Sequence, residues 1–362
     1  MRSTSLHRQV GLSAHSCQGA RHVTYVTCDR TQAARSDMPL LLSLVLRGSR
    51  VLSVGTPCRR LSGLCCPLSE HRAVLRLRGA HTPTFLQGLM TNDVARLQEG
   101  ALYAHLLNVQ GRSMYDVILY RLSAGEEGQS DLLLECDVAA VDPIQSHLKV
   151  YNFRKKVEVQ PCPELSVWAV ISSQKNQEPL SKKLPPPAVL CTPDPRAACM
   201  GWRLVAQTGG DIRDLLPGAE MGTLQDYSRH RYEQGISEGV SDVPPGVALP
   251  LESNLVYMNG ISFSKGCYIG QELTARTHHT GVIRKRLVPV HLSSPLPPGT
   301  QGPEIVTAAG KAAGKYKAGV EGCGLALLRL AHVNDALHIR LDNQEPISVQ
   351  ASVPDWWPKS TD

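Results

Sequence analysis

The stretch KGCYIGQE, residues 265–272, places a cysteine between two glycines, with a lysine before it and an amide–carboxylate pair after it. A cysteine reacts or binds metal as the thiolate, so its surroundings decide what it can do. We expect Gly266 to allow a positive φ before the cysteine, and a helix that begins near Gly270 to place Cys267 at its positive end. Lys265 adds a nearby cation, so the motif predicts a functional thiol. The alternative is a turn whose cysteine only packs.

Other residues near the motif modify this interpretation. Glu272 opposes thiolate formation unless it pairs with Lys265 or Arg276. Gly270 is expected to let a ligand or a partner's backbone approach closely. The adjacent His278 and His279 do not complete a mononuclear metal site, which needs three or four ligands, and we interpret them as polar residues of a helix end. A single cysteine can still supply one ligand to a cluster that it shares with another protein's thiolates.

Charge is concentrated at one end of the chain. The 362 residues include 38 Lys and Arg and 32 Asp and Glu, and nine of the Arg and two of the Asp lie in the first 69 residues. That segment carries a net charge of +7, and the remainder carries −1. A nearly neutral body excludes a phosphate-tracking surface, so we expect no nucleic-acid partner.

The first 69 residues have the Arg-, Ser- and Leu-rich, acid-poor composition of a mitochondrial transit peptide. Met38 opens a second such segment and is an alternative start of the chain. A secretory signal is the other interpretation, but Arg residues follow the apolar run 40–46, where such a signal needs small residues at its cleavage site. This run is too short to span a bilayer, and we expect no membrane partner.

The cysteines form neither a zinc-binding nor a disulfide pattern. Five of the eleven lie in the leader, and the six in the body include no CxxC pair. We therefore expect a reducing compartment and mostly packed thiols, such as Cys136 and Cys323 in their apolar surroundings.

The hydrophobic pattern predicts an α+β protein followed by short strands. We expect strands or a hairpin at 71–79, 101–122, 131–137, 157–160, 166–171 and 201–207, helices after Thr82 and at 139–151, 221–235 and 265–279, and a small barrel in 286–353. The Pro-rich residues 173–197 are predicted to be a mobile loop.

These elements divide the chain into four segments. They are the leader 1–69, a first α+β region 70–155, a second α+β region 156–285 and a C-terminal β-barrel 286–355. The pattern leaves open whether the second region is discontinuous with the first.

The motif resembles the signature of the YgfZ-type proteins, a branch of the folate-binding superfamily that includes the glycine-cleavage T-protein. Agreement continues over roughly residues 70–350, in FLQGLMTNDV (85–94), NVQGRSMYDVILYRL (108–122), RYEQGISEG (231–239), LPLESNL (249–255) and RTHHTGVIRKRL (276–287). Together with the leader, the chain is most similar to the mitochondrial branch that assists late iron–sulfur cluster assembly.

The resemblance implies a ring of two ferredoxin-like α+β domains and a small β-barrel around a central cavity that binds tetrahydrofolate. Glu233 falls where the family has a carboxylate for the pterin. The T-protein branch has an Asp-Asp pair where this chain has Tyr115-Asp116, so one acid is missing. The resemblance makes Asp116 a candidate folate-binding residue and leaves its role open. Arg276 and Arg284 are candidates for the folate's glutamate tail on charge alone.

The motif itself carries over directly, in Lys265, Gly266, Cys267, Tyr268, Gly270, Gln271 and Glu272. The resemblance therefore implies an assembly factor of the mitochondrial matrix that binds folate. Cys267 would be a ligand of a transient iron–sulfur cluster shared with A-type carrier proteins during maturation of [4Fe–4S] proteins.

The alternative is a tetrahydrofolate-dependent aminomethyl or one-carbon transferase. A Cys-nucleophile enzyme ranks last, because no His/Asp arrangement accompanies the thiol. Whether the chain turns over a substrate stays open.

Overall fold

Residues 63–122, 130–172, 184–297, 299–300, 302–341 and 345–359 are described by the computed structural model. The strands in this part of the chain are β1 Gly63–Pro67, β2 Arg72–Arg78, β3 Ala101–Leu107, β4 Ser113–Arg121, β5 Asp131–Asp137, β6 Glu158–Pro161, β7 Leu165–Ser172, β8 Ala188–Pro193, β9 Trp202–Gln207, β10 Glu220–Met221, β11 Lys285–Leu292, β12 Glu304–Thr307, β13 Ala312–Val320, β14 Cys323–Arg329, β15 Leu337–Ile339 and β16 Ile347–Ala351. The α-helices are α1 Thr82–Gln87, α2 Val141–Tyr151, α3 Leu224–Glu233, α4 Gly239–Asp242 and α5 Gln271–Thr280.

The strands form two five-stranded sheets and a closed barrel. One sheet has the order β3-β4-β5-β2-β6 and is antiparallel throughout. The other has the order β10-β1-β7-β9-β8, in which only β10 runs parallel to its neighbour. The barrel closes through β11-β14-β13-β12-β15-β16. The predicted α+β class and the C-terminal barrel are thus confirmed, whereas the ring and its central hole stay a prediction.

The inner strands of the two sheets are buried along most of their length, because both faces of the first sheet are covered. A shared core lies between the two sheets, where Val74, Ile118 and Leu133 of the first meet Val167 and Val205 of the second. A separate core fills the barrel interior, and α1 and α2 cover the opposite face of the first sheet. Burial of this apolar area is the main stabilising contribution, at about 25 cal/mol per Å².

The described part of the chain departs from two sequence expectations. Strand β1 lies inside the segment assigned to the leader, and it buries Cys65 and Cys66 between β10 and β7. Strand β8 lies inside the Pro-rich segment predicted to be a loop, paired with β9. Residues 173–183 of that segment, and the leader up to residue 62, lie outside the described residues.

Local signals explain where the helices begin. Thr223 and Asp226 form a reciprocal capping box at the start of α3, so the helix is shorter at that end than the predicted 221–235. Pro83 in the first turn of α1 fits a position where no backbone N–H is needed. In the described residues, no helix is long and apolar enough to cross a membrane.

Candidate functional site

Cys267 lies in the loop that precedes α5, and it is exposed. It is the only exposed thiol among the eight cysteines in the described ranges. A Cβ built on the neighbouring Gly266 would meet no atom within 4 Å, so the loop has open space on this side. The thiol is therefore exposed, as a role in binding a partner's cluster requires.

The other seven described cysteines are in surroundings that disfavour the thiolate. Burial raises the pKa of Cys65, Cys136 and Cys191 to about 12. It raises the pKa of the remaining four, to about 11 for Cys66, Cys162 and Cys199, and also above its usual value for Cys323. These thiols fit the expected role of core packing.

The lysine of the motif does not lie free beside the thiol, as the sequence led us to expect. The Lys265 ammonium points into the protein and donates hydrogen bonds to the carbonyl oxygens of Gln87, Met90 and Asn92, at 2.7, 2.7 and 2.9 Å. Its Nζ also lies 4.9 Å from the ring centroid of Tyr268. Burial lowers the pKa of Lys265 to about 8, although the carboxylate of Asp93 acts in the opposite direction.

The two glycines of the motif have roles that differ from the predicted ones. Gly266 does not adopt a positive φ, whereas Gly270 has φ +77° and precedes the first residue of α5. A Cβ at Gly270 would lie 2.3 Å from the carbonyl oxygen of Asn108, in the turn between β3 and β4. The close approach predicted at Gly270 is thus made by a hairpin of the same chain.

Cys267 lies before the N-terminus of α5, although not within its first turn. The helix begins at Gln271, and the side-chain oxygen of Gln271 accepts a hydrogen bond from the Tyr268 N–H at 3.3 Å. Glu272 is exposed in the first turn. The cysteine is therefore held just outside the helix, on a loop whose next residue is fixed by Gln271.

The two histidines lie in the last turn of α5. The ring of His278 stacks on Phe263 with centroids 3.6 Å apart and planes 8° apart, and His279 meets both rings edge-on. Burial and the neighbouring His279 lower the pKa of His278. Within the described ranges, no three His, Cys, Asp or Glu side chains form a group that could hold a metal ion.

Asp116 lies in a buried network of charges between the sheets. Its Oδ2 accepts from Arg72 at 3.2 Å, and its Oδ1 accepts from the Gly239 N–H at 3.0 Å. The same network contains Glu238, which accepts from Arg196 and Arg203 at 2.6 Å each. Burial opposes ionisation of Glu238, but the surrounding guanidinium groups outweigh it and lower its pKa well below its usual value.

The remaining predicted folate residues are not brought together. Glu233 is the exposed last residue of α3, and its charge adds to burial in raising the pKa of Cys323 on the barrel. Arg276 is exposed on α5. Arg284 lines a cavity of about 330 Å³ below α5, at the start of the barrel.

The cavity wall contains polar residues that sequence reasoning missed, among them Glu252 and Thr274. Its walls are mostly apolar, and its lining residues are Leu249, Pro250, Leu251, Glu252, Leu273, Thr274, Thr277, Val282, Ile283, Arg284 and Lys285. Thr274 is 2 % exposed, and its hydroxyl has no hydrogen-bond partner in the described residues. Burial raises the pKa of the Glu252 carboxyl above its usual value, although the cations Lys285, Arg112 and Lys317 act in the opposite direction. The stretch LPLESNL, which is one of those that carry the family resemblance and contains Glu252, could have indicated a binding residue here.

Comparison with known proteins identifies relatives over most of the chain. It is 50 % identical over 320 residues to "Iron-sulfur cluster assembly factor IBA57, mitochondrial" of Mus musculus, covering 84 % of this chain and 86 % of the relative. The Homo sapiens protein of the same name is 50 % identical over 318 residues, covering 84 % and 88 %. A Mycosarcoma maydis homologue is 34 % identical over 343 residues, covering 80 % and 83 %.

Two further comparisons concern the architecture. The family described as "CAF17, C-terminal beta-barrel domain" matches residues 284–359. The crystal structure of glycine cleavage system aminomethyltransferase T from Bartonella henselae superposes with a TM-score of 0.65 at 16 % identity, covering 82 % of this chain and 87 % of that chain. At this identity the similarity shows the shared fold alone.

Proposed function

Because the chain belongs to the family of mitochondrial iron–sulfur cluster assembly factors named IBA57, we propose that it assists the maturation of [4Fe–4S] proteins by supplying Cys267 to a shared cluster. The observation that carries this proposal is the exposed thiol of Cys267, in a set of eight described cysteines of which the others are buried or half-buried. Iron–sulfur clusters are held by thiolates.

The cluster is the cargo of this proposed function. The absence of a metal-binding group among the described residues supports a site completed by another protein. In this proposal the Cys267 thiol would lose its proton to solvent and its sulfur would replace one ligand of the cluster, which leaves, while cysteines of an A-type carrier would hold the remaining iron positions. The exposed position of Cys267 would give a cluster held at the surface of such a carrier access to the thiol.

We place this activity in the mitochondrial matrix. The relatives are named mitochondrial, and the Arg-rich, acid-poor leader supports import of this chain. Strand β1 begins at Gly63, so a cut that preserves the second sheet falls before that residue. N-terminal sequencing of the protein recovered from matrix should give a start before residue 63; an uncut Met1 product in the cytosol would contradict the location.

A reduced folate is the second ligand in the proposal, and the cavity below α5 suits such a molecule. Apolar walls suit a flat ring, while the Glu252 carboxylate and the uncommitted Thr274 hydroxyl can bond to ring N–H groups. Arg284 lies where it can meet a carboxylate tail. In this proposal Arg276 adds charge from α5, whereas Asp116 and Glu233 are not among the residues that line the cavity.

Folate binding can be measured with tetrahydrofolate in anaerobic calorimetry. We expect Arg284→Met and Thr274→Val to weaken binding at least tenfold, and Arg340→Met on the exposed barrel surface to leave it unchanged. If Glu233→Gln weakens binding and Arg284→Met does not, the ligand lies outside this cavity.

The alternative function is a one-carbon transferase of the T-protein type. It needs an acid near the substrate, and Tyr115 stands at one of the two positions where that branch has Asp. The other, Asp116, is buried with both oxygens engaged. The transferase alternative is therefore supported by the shared fold and by little else.

The decisive experiment for the main proposal mixes the protein with a [2Fe–2S]-loaded A-type carrier. Wild type should give a new absorption and circular dichroism spectrum in the visible region. Cys267→Ser should not, and Cys323→Ser, which removes a half-buried thiol, should behave like wild type. Identical spectra for wild type and Cys267→Ser would remove the ligand role.

A further inference from the structure

The Lys265 side chain uses its full hydrogen-bonding capacity inside the protein. An ammonium group has three N–H donors, and the three carbonyl oxygens of Gln87, Met90 and Asn92 accept them. The residue is 9 % exposed. Burying a charge costs free energy unless its donors are satisfied, so this arrangement requires all three acceptors to stay where they are.

The same segment, 87–92, holds the chain on both sides of Lys265. Before the lysine, the Ser262 N–H donates to the Thr91 carbonyl at 3.1 Å. After it, the Ile269 N–H donates to the Gly88 carbonyl at 3.0 Å. The three residues between Lys265 and Ile269 include Cys267, and a Cβ added to Gly266 would meet no atom within 4 Å.

We propose that Lys265 is a positioning residue for Cys267. It fastens the cysteine loop to segment 87–92, so that the thiol projects from a short span fixed at both ends. This inference rests on the ligand role proposed above for Cys267. A fixed thiol loses little conformational freedom when a carrier's cluster arrives, whereas a mobile loop must be ordered at that moment.

The geometry is specific for an ammonium group. Three acceptors converge on one nitrogen, which suits a tetrahedral donor. A guanidinium group spreads its donors over a planar fork and cannot aim three of them at the same point. Lys265→Arg should therefore keep the charge and lose the fastening, and Lys265→Met should lose both.

Hydrogen exchange of the full chain, read by mass spectrometry, tests the fastening without any cluster. We expect Lys265→Met and Lys265→Arg to raise the exchange rate of peptides that cover 262–270 at least tenfold, with barrel peptides unchanged. Lys149→Met is the matched control, since it makes the same substitution at an exposed lysine of α2. Wild-type exchange rates at 262–270 in both Lys265 variants would overturn the proposal.

Reading barrel peptides separately keeps the test valid if Lys265→Met destabilises the whole protein. Exchange that rises equally everywhere in both Lys265 variants would assign Lys265 a general structural role, and the positioning proposal would be overturned.

Cluster sharing with the [2Fe–2S] carrier is the second readout. We expect the visible circular dichroism species to form at least tenfold more slowly with Lys265→Arg than with wild type. If the variant raises hydrogen exchange at 262–270 but the cluster species still forms at the wild-type rate, positioning of the thiol is not required. If wild type and Cys267→Ser give the same spectrum, the ligand role fails, while the exchange result still decides whether Lys265 fastens the loop.

Discussion

Arg72 and Asp116 are joined across an intervening strand. The Arg72 side chain on β2 crosses β5, donating to Glu135 at 2.8 Å on the way, and reaches Asp116 on β4 at 3.2 Å. All three side chains are buried. The acid that resemblance offered as a folate contact is thus part of the network that links three strands of the first sheet.

Replacing Asp116 by Asn should destabilise the protein, because it removes one charge of a buried pair and keeps the shape. We expect the free energy of unfolding to fall by about 3 kcal/mol in urea at pH 7. Asp131→Asn is the control, since it breaks a partly exposed pair with Arg76 and should cost less than about 1 kcal/mol. Equal losses in the two variants would contradict the structural role of Asp116.

Stability should decrease with acid through His105. Burial lowers the pKa of this imidazole from 6.5 to about 4, although Asp116 acts in the opposite direction. Because the folded-state pKa is the lower one, the contribution is fully present above pH 6.5 and is lost as pH falls toward 4. The difference corresponds to about 3 kcal/mol.

Urea unfolding at several pH values checks this contribution of His105. His105→Gln should have a shallower decline in unfolding free energy between pH 6.5 and 4 than wild type, whereas the exposed His279→Gln should follow the wild-type slope. Parallel curves for wild type and His105→Gln would show that this imidazole is not responsible.

The two glycines of the motif should respond differently to alanine. Gly270→Ala places a Cβ 2.3 Å from a backbone oxygen at φ +77° and should cost at least about 2 kcal/mol. Gly266→Ala meets open space and should change the unfolding free energy by less than about 0.5 kcal/mol. Thermal unfolding of both variants measures this difference; similar melting temperatures would argue against the hairpin contact at Gly270.

Thiol modification should single out Cys267 among the described cysteines. Iodoacetamide at pH 7.5 should modify Cys267 at least tenfold faster than Cys199 or Cys323, because burial raises the pKa of those two thiols. Peptide mass spectrometry follows each site separately. Faster modification of Cys323, whose sulfur lies 3.3 Å from Nδ1 of His291, would reverse the expected order.

Local sequence patterns were sufficient for most elements and insufficient for β1 and β8. The hairpin of β3 and β4 was predictable because two apolar runs flank a short polar turn. Strand β1 was hidden because its residues continue the composition of the leader, and its pairing partner β7 lies far along the chain. The Pro residues around β8 are typical of a loop, but antiparallel pairing with β9 makes this segment a strand.

The sequence motif singled out Cys267, but it could not predict how the side chain of Lys265 is held. The glycines and charges around Cys267 predicted a functional thiol. The acceptors of Lys265 lie 173 to 178 positions away in the sequence, where no local pattern connects them. Glu252 and Thr274 became candidates only when the fold brought α5 to the start of the barrel.

The position of β1 in the second sheet affects the order in which the protein can form. Pro67 leaves the ribosome, or the import channel, 98 positions ahead of Leu165, where the strand that pairs with it begins. The first sheet can close during that interval, whereas the second must wait with one of its inner strands unpaired. A newly made chain therefore carries an apolar segment with two cysteines that is prone to aggregation until its partner strand emerges.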